Sequence, residues 1–76
     1  MASRKLLIAE GSEELTAALT EVLTGEYHIH ACSDGEEALL LLRSFAPDML
    51  ILDLMLPKID GLTMLQLARE DGKLPA

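Results

Sequence analysis

The sequence is poor in cysteine, aromatic residues and basic residues. Its 76 residues include one cysteine, Cys32, one tyrosine, one phenylalanine and no tryptophan. A lone cysteine cannot form an internal disulfide, which favours a reducing compartment such as the cytoplasm. Six lysines and arginines stand against 13 aspartates and glutamates, giving a net charge of −7 at pH 7. This charge opposes contact with phosphate backbones, so we expect no direct nucleic-acid binding by this segment.

Long apolar runs are also missing. No stretch reaches the roughly 20 apolar residues that span a bilayer. Near the N-terminus, the four apolar residues that follow the basic pair are too few for a signal-peptide core. Half of the residues are nevertheless apolar. We therefore expect one small cytoplasmic domain without membrane association, which buries about 60% of its unfolded surface.

Three segments have the patterns of β-strands. The continuous apolar runs at about 5–9 and 49–53 are typical of strands buried on both faces. Residues 27–32, "YHIHAC", alternate instead, with His28 and His30 on one face. That polar face indicates a strand at the edge of a sheet.

Three further segments predict helices, at about 13–24, 35–45 and 61–71. Ser12 is placed to cap the first helix, and Ser33 with Glu36 would form a capping box at the second. The first helix should turn an apolar stripe toward the core, formed by Leu15, Ala18, Leu19, Val22 and Leu23.

The resulting order βαβαβα predicts a parallel sheet with right-handed crossovers and helices on both faces. If the second helix returns the chain past the first strand, the strand order is 2-1-3. Ligands bind such sheets at the carboxyl ends of strands beside the switch point, which lies between strands 1 and 3. Glu10 ends strand 1 and Asp53 ends strand 3. We therefore expect two carboxylates to meet there.

Two neighbouring carboxylates repel unless one is protonated or a cation lies between them. Mg²⁺ commonly takes one or two protein carboxylates together with phosphate oxygens. An aspartate beside Mg²⁺ can also attack a phosphoryl group and form an aspartyl phosphate. The simpler alternative is that Asp53 is a solvated loop residue.

The chain resembles the receiver domain of two-component response regulators in "KLLIAEGSEEL", "ACSDGEEAL" and "PDMLILDLMLPKIDGLTML". The resemblance implies the amino-terminal βαβαβα portion of a flavodoxin-like α/β/α fold, at residues 1–76. It implies that Asp53 is the phosphoacceptor and that Glu10, Asp53 and the backbone carbonyl of Met55 hold Mg²⁺. Pro57 and Gly61 would shape the following loop.

By the same resemblance, the phosphoryl donor is a sensor histidine kinase or a phosphotransfer protein. The output would be a process such as transcription, and the chain itself would be an acceptor and not an enzyme. In complete regulators of this kind, the receiver commonly governs a DNA-binding domain.

Two departures from the family pattern affect these expectations. Receivers usually carry two acidic residues after the first strand, and here Gly11 follows Glu10. The sequence also ends at "KLPA", before the family's hydroxyl residue and lysine, and Lys58 is not that lysine. Strand 3 would then be an open apolar edge, which predicts a homo-oligomer formed through that edge.

Other functions fit the residues less well. A phosphohydrolase of the haloacid dehalogenase kind would need an aspartate where Met55 stands. A nucleotide-binding domain would need a glycine-rich loop after strand 1, where "AEGSEEL" has one glycine and three glutamates. His28 and His30 have a spacing that could hold a metal, but a solvated strand edge explains them more simply. The main rival is a receiver-like interaction module that works without phosphorylation.

Overall fold

The fold is a small parallel sheet with helices on both faces. The computed structural model describes residues 4–72. Its elements follow the predicted order: β1 (Arg4–Ala9), α1 (Glu13–Leu23), β2 (Tyr27–Cys32), α2 (Gly35–Ser44), β3 (Met49–Leu52) and α3 (Gly61–Glu70).

The strands are arranged in the order β2-β1-β3, as predicted. Both pairings of β1 are parallel, with Leu7 opposite His30 in β2 and Leu50 in β3. The chain therefore leaves β1 in one direction, crosses to β2 and returns past β1 to β3. The switch point lies between β1 and β3, and Glu10 and Asp53 follow these two strands directly.

Two apolar layers lie on either side of β1. Its four residues Leu6–Ala9 are fully buried, which confirms a strand covered on both faces. Leu7 and Ala9 face α2 and α3 and join one core, completed by Cys32, Ala38, Leu39, Leu42, Leu56, Met64 and Ala68. Leu6 and Ile8 point to the opposite face, where a right-handed crossover places α1. The three-layer arrangement is confirmed.

The prediction that β3 is buried on both faces is wrong for the described residues. Met49 is 39% exposed, and the other three residues are only partly buried. The cause is position, because β3 is an edge strand and no element between residues 4 and 72 lies beyond it. An apolar run reports the composition of a strand but not the number of its neighbours.

The apolar stripe of α1 is also less buried than predicted. No residue of α1 is buried, and Val22 is 78% exposed. Leu19 and Leu23 are partly covered, whereas Leu15 and Ala18 are exposed. Among the described residues, α1 is the single helix on its face of the sheet, so only the part of the stripe nearest the strands is covered.

The capping box expected at α2 does not form. The N-cap is Asp34, whose Oδ1 accepts a hydrogen bond from the Glu37 N–H at 2.8 Å. Aspartate is as good a cap as serine, and the pair Asp34 and Glu37 has the same spacing as Ser33 and Glu36. The cap lies one residue later than predicted because the backbone of Asp34 is extended and Gly35 is the first helical residue.

The predicted segments differ from the observed bounds by at most one residue. Each predicted helix is one residue too long at its C-terminal end. The extra residues are the C-caps Thr24, Phe45 and Asp71. Asp53 lies just beyond β3, although its N–H still donates to the Ala9 carbonyl at 2.8 Å. Within residues 4–72, no helix is long and apolar enough to cross a bilayer.

Candidate functional site

Asp53 stands at the carboxyl edge of the sheet, held by two backbone amides. The N–H of Met55 donates to its Oδ1 at 2.9 Å, and the N–H of Gly11 donates to its Oδ2 at 3.4 Å. One bond comes from the loop after β3 and the other from the turn after β1. Both sides of the switch point therefore orient the same carboxylate.

These contacts favour the ionised form of Asp53. Its pKa is lowered, chiefly by the Met55 amide and further by the Gly11 amide and the Glu10 carboxyl, while desolvation opposes the shift. A hydrogen bond to the charged form stabilises that form. Asp53 is therefore a carboxylate at neutral pH and keeps lone pairs available for a cation or an electrophile.

Glu10 lies beside Asp53 and also closes the turn between β1 and α1. Its Oε2 accepts a hydrogen bond from the Ser12 N–H at 3.0 Å. Ser12 in turn caps α1, since its Oγ accepts from the Leu15 N–H at 3.1 Å. The structure thus brings the two predicted carboxylates together, and the turn limits the reach of Glu10.

The loop between β3 and α3, residues 53–60, is fastened at two points, Leu54 and Pro57. The N–H of Gly61 donates to the Leu54 carbonyl at 3.0 Å, and that of Gly35 donates to the Pro57 carbonyl at 3.1 Å. A Cβ on Gly61 would lie 2.5 Å from the Asp53 carbonyl oxygen. Gly61 is therefore required for the close approach of the backbone at the start of α3 to the loop.

Asp60 is a capping residue at the end of this loop that the sequence analysis missed. It is the N-cap of α3, accepting from the Thr63 N–H at 3.0 Å and from the Thr63 hydroxyl at 2.9 Å. These bonds from Thr63 lower its pKa. An aspartate just before the predicted start of a helix is a recognised capping signal and could have identified it.

The two histidines of β2 do not join this site. Both rings contact Phe45, which stacks on His30 with a centroid distance of 4.1 Å and an interplanar angle of 5°. Between residues 4 and 72, no three His, Cys, Asp or Glu side chains are grouped to hold a metal ion. Among these residues, His28 and His30 therefore have no third side chain with which to hold a metal ion.

The donors around Asp53 do suit a hard cation in chemical type. Glu10 and Asp53 offer carboxylate oxygens and Met55 a backbone carbonyl, and Mg²⁺ prefers oxygen ligands while keeping several waters. Gly11 adds no ligand, so any side-chain coordination is limited to two carboxylates.

These features define a doubly wound α/β protein with an ionised aspartate at its switch point. The family model "Response regulator receiver domain" matches residues 6–76. The chain belongs to this family, the receivers of two-component signalling systems, which bind Mg²⁺ at their phosphorylation site and partner with histidine kinases.

Curated relatives agree with this assignment. The DNA-binding response regulator MtrA of Mycolicibacterium smegmatis is 34% identical over 73 residues, covering 95% of this chain and 32% of the relative. The sensor histidine kinase TmoS of Ectopseudomonas mendocina is 35% identical over 69 residues, covering 91% of this chain and 7% of the relative.

Solved structures show the same fold. The amino-terminal domain of a response regulator receiver protein from Methanoculleus marisnigri superposes with a TM-score of 0.85 at 26% identity, covering 95% of this chain and 59% of that one. This chain thus spans about three fifths of a solved receiver and about a third of a curated regulator such as MtrA.

Proposed function

We propose that this chain is a phosphoacceptor receiver, in which Asp53 takes a phosphoryl group from a histidine kinase or a phosphotransfer protein. The observation that carries the proposal is the ionised carboxylate of Asp53 at the switch point, oriented by the amides of Met55 and Gly11. Family membership supports the same role for the aspartate after β3.

In the proposed reaction, an oxygen of Asp53 attacks the phosphorus atom of the donor. The new O–P bond forms as the P–N bond of a phosphohistidine breaks, and the leaving imidazole nitrogen keeps the electron pair and takes a proton from water. The Met55 and Gly11 amides hold the carboxylate in place before attack, which reduces the entropic cost of alignment.

Glu10, Asp53 and the Met55 carbonyl are the groups that would hold Mg²⁺, which when bound neutralises charge on the phosphoryl oxygens. The Glu10 carboxylate accepts a hydrogen bond from the Ser12 N–H, which restrains its orientation. Gly11 has no side chain and adds no ligand beside Glu10.

Replacing Asp53 by asparagine is expected to abolish phosphorylation, because the amide lacks a nucleophilic oxygen anion. The measurement is intact mass after incubation with acetyl phosphate and Mg²⁺, with the parent chain alongside. The parent should gain a single phosphoryl group that is absent without metal. If the parent chain is folded by circular dichroism but gains no phosphoryl group, the result would contradict the proposal and favour the interaction module.

The output of such a receiver is proposed to be transcription, because the relative MtrA is named a DNA-binding response regulator. In this proposal the segment itself does not touch DNA, since its net charge is −7. A cytoplasmic location goes with the same proposal, because histidine kinases use cytoplasmic ATP as the phosphoryl source.

A second candidate function is self-association through β3. This strand is an edge strand of the sheet, with an exposed apolar side chain at its start, Met49, and another two residues past its end, Leu54. Open strand edges pair readily with other chains. Light scattering at high micromolar concentration is expected to give at least a dimer mass, and a Met49→Lys variant should shift the mass toward the monomer. A monomeric parent would exclude this assembly.

A further inference from the structure

The start of α2 is in unusually close contact with the loop that follows Asp53. A Cβ built on Gly35 would lie 1.7 Å from the Ile59 carbonyl oxygen, 2.6 Å from its carbonyl carbon and 2.9 Å from its Cβ. Two of these three atoms belong to the backbone, so no change of side-chain rotamer could relieve the clash. Any side chain at position 35 would have to displace the loop or the helix.

This requirement for glycine comes from the loop and not from the backbone conformation of α2. Gly35 is the first residue of a helix and does not have a positive φ. At Gly25, by contrast, a Cβ would meet nothing within 4 Å, and the backbone likewise lacks a positive φ. The two glycines therefore form a matched pair that differs in what surrounds the missing side chain.

Gly35 is also bonded to the loop through its amide. The N–H of Gly35 donates to the Pro57 carbonyl at 3.1 Å, and the same carbonyl accepts from the Ile59 N–H at 2.8 Å. Lys58, which lies between Pro57 and Ile59, has a φ of 67°, a left-handed conformation that is costly for a residue with a side chain. A tight, strained turn of this kind persists only where its surroundings hold it.

Side chains add to the same contact. The Lys58 Nζ lies 3.7 Å from Oδ2 of Asp34, the N-cap of α2. Ile59 packs against the apolar core. The loop is thus held against the start of α2 by a backbone hydrogen bond, an ion pair and apolar contact.

Met55 lies between the two points at which the loop is fastened. Gly61 holds the carbonyl of Leu54 on one side, and Gly35 holds the carbonyl of Pro57 on the other. The Met55 N–H bonded to Asp53 belongs to this short span. Its position therefore depends on both glycines.

We propose that Gly35 is a positioning residue for the site: by admitting Ile59 against the start of α2, it holds the Met55 amide at Asp53. Its relevance to phosphorylation rests on the function proposed above. The role in placing Met55 is a property of the folded chain and can be tested without phosphorylation.

The test compares Gly35→Ala with Gly25→Ala in the full chain by ¹H–¹⁵N NMR. Asp53→Ala provides the reference position of the Met55 amide signal when its acceptor is missing. In Gly35→Ala, the Met55 signal is expected to move most of the way to that reference position. In Gly25→Ala, it should stay where it is in the parent. An unmoved Met55 signal in folded Gly35→Ala would overturn the proposal.

A second measurement on the parent covers the case in which Gly35→Ala does not fold. If one contact holds the loop, the amides of Gly35 and Met55 become exposed in the same opening event and show similar protection against hydrogen exchange. Protection of Gly35 together with an unprotected Met55 amide would show that the two are independent, which also overturns the proposal.

Phosphorylation by acetyl phosphate separates this proposal from the proposed function. We expect Gly35→Ala to react at least roughly tenfold more slowly than Gly25→Ala at equal folded fraction, since small misplacements of site groups cost large factors in rate. If the parent does not react but its Met55 signal responds to Gly35→Ala, the proposed function fails and the positioning role stands. Equal rates in the two variants would instead overturn the positioning role alone.

Discussion

Replacing Leu42 by alanine is expected to lower the free energy of unfolding by about 2–5 kcal/mol, as for other buried leucines. Leu42 is 0% exposed and lies in the core between α2, α3 and the sheet, together with Leu7 and Met64. Its loss would remove apolar burial and leave a cavity that close-packed neighbours fill only in part.

The effect is large relative to the total stability of so short a chain. Domains have roughly 0.05–0.15 kcal/mol of stability per residue, so a chain of this size has about 4–11 kcal/mol. The variant would therefore lose a large fraction of the free energy of unfolding. Urea unfolding followed by circular dichroism measures the change, with the slope m checked against that of the parent.

Leu40→Ala is the matched control for this prediction. Leu40 lies in the same helix and undergoes the same chemical change, but it is 59% exposed. Its substitution should change the free energy of unfolding by no more than about 0.5 kcal/mol. If both substitutions had equal effects, the core described for α2 and α3 would be wrong.

Replacing Gly11 by aspartate is expected to raise the affinity for Mg²⁺ by about tenfold or more. The variant adds a third carboxylate beside Glu10 and Asp53, and the affinity of oxygen sites for divalent ions rises with ligand charge. Position 11 can accept the side chain, because a Cβ there would lie 3.5 Å from Asp53 Oδ2, an ordinary contact distance. Gly11 also lacks a positive φ, so its backbone suits a residue with a side chain.

Isothermal titration calorimetry with MgCl₂ measures this change, and Gly11→Asn controls for shape without the added charge. Without metal, Gly11→Asp should be less stable than Gly11→Asn, because three close carboxylates repel one another. Adding Mg²⁺ should reverse that order, since a ligand that binds the folded state stabilises it. Equal Mg²⁺ affinities in the two variants would show that the site does not use position 11.

Most of the architecture could be predicted from the sequence. The apolar runs, the alternating strand and the helical patterns identify all six elements, and right-handed crossovers give the strand order 2-1-3 if the second helix returns the chain past the first strand. The same rule brings Glu10 and Asp53 to one edge of the sheet. These features depend on local pattern and chain connection, both of which can be read from the order of residues.

Contacts between distant segments could not be predicted in this way. The glycine at position 35 meets Ile59 across 24 positions of the sequence, and its Cβ clash arises only when α2 and the loop are packed together. The exposure of β3 likewise depends on how many strands lie beside it. Neither property leaves a periodic signal in the chain.

The sequence by itself determined the elements, their order and the meeting of two carboxylates at the switch point, because periodicity, capping and handedness act over short stretches. Only the tertiary structure decided which apolar residues are covered and which glycines meet the loop after β3 at close range. Burial and close backbone approach are set by neighbours that the chain brings together from distant positions.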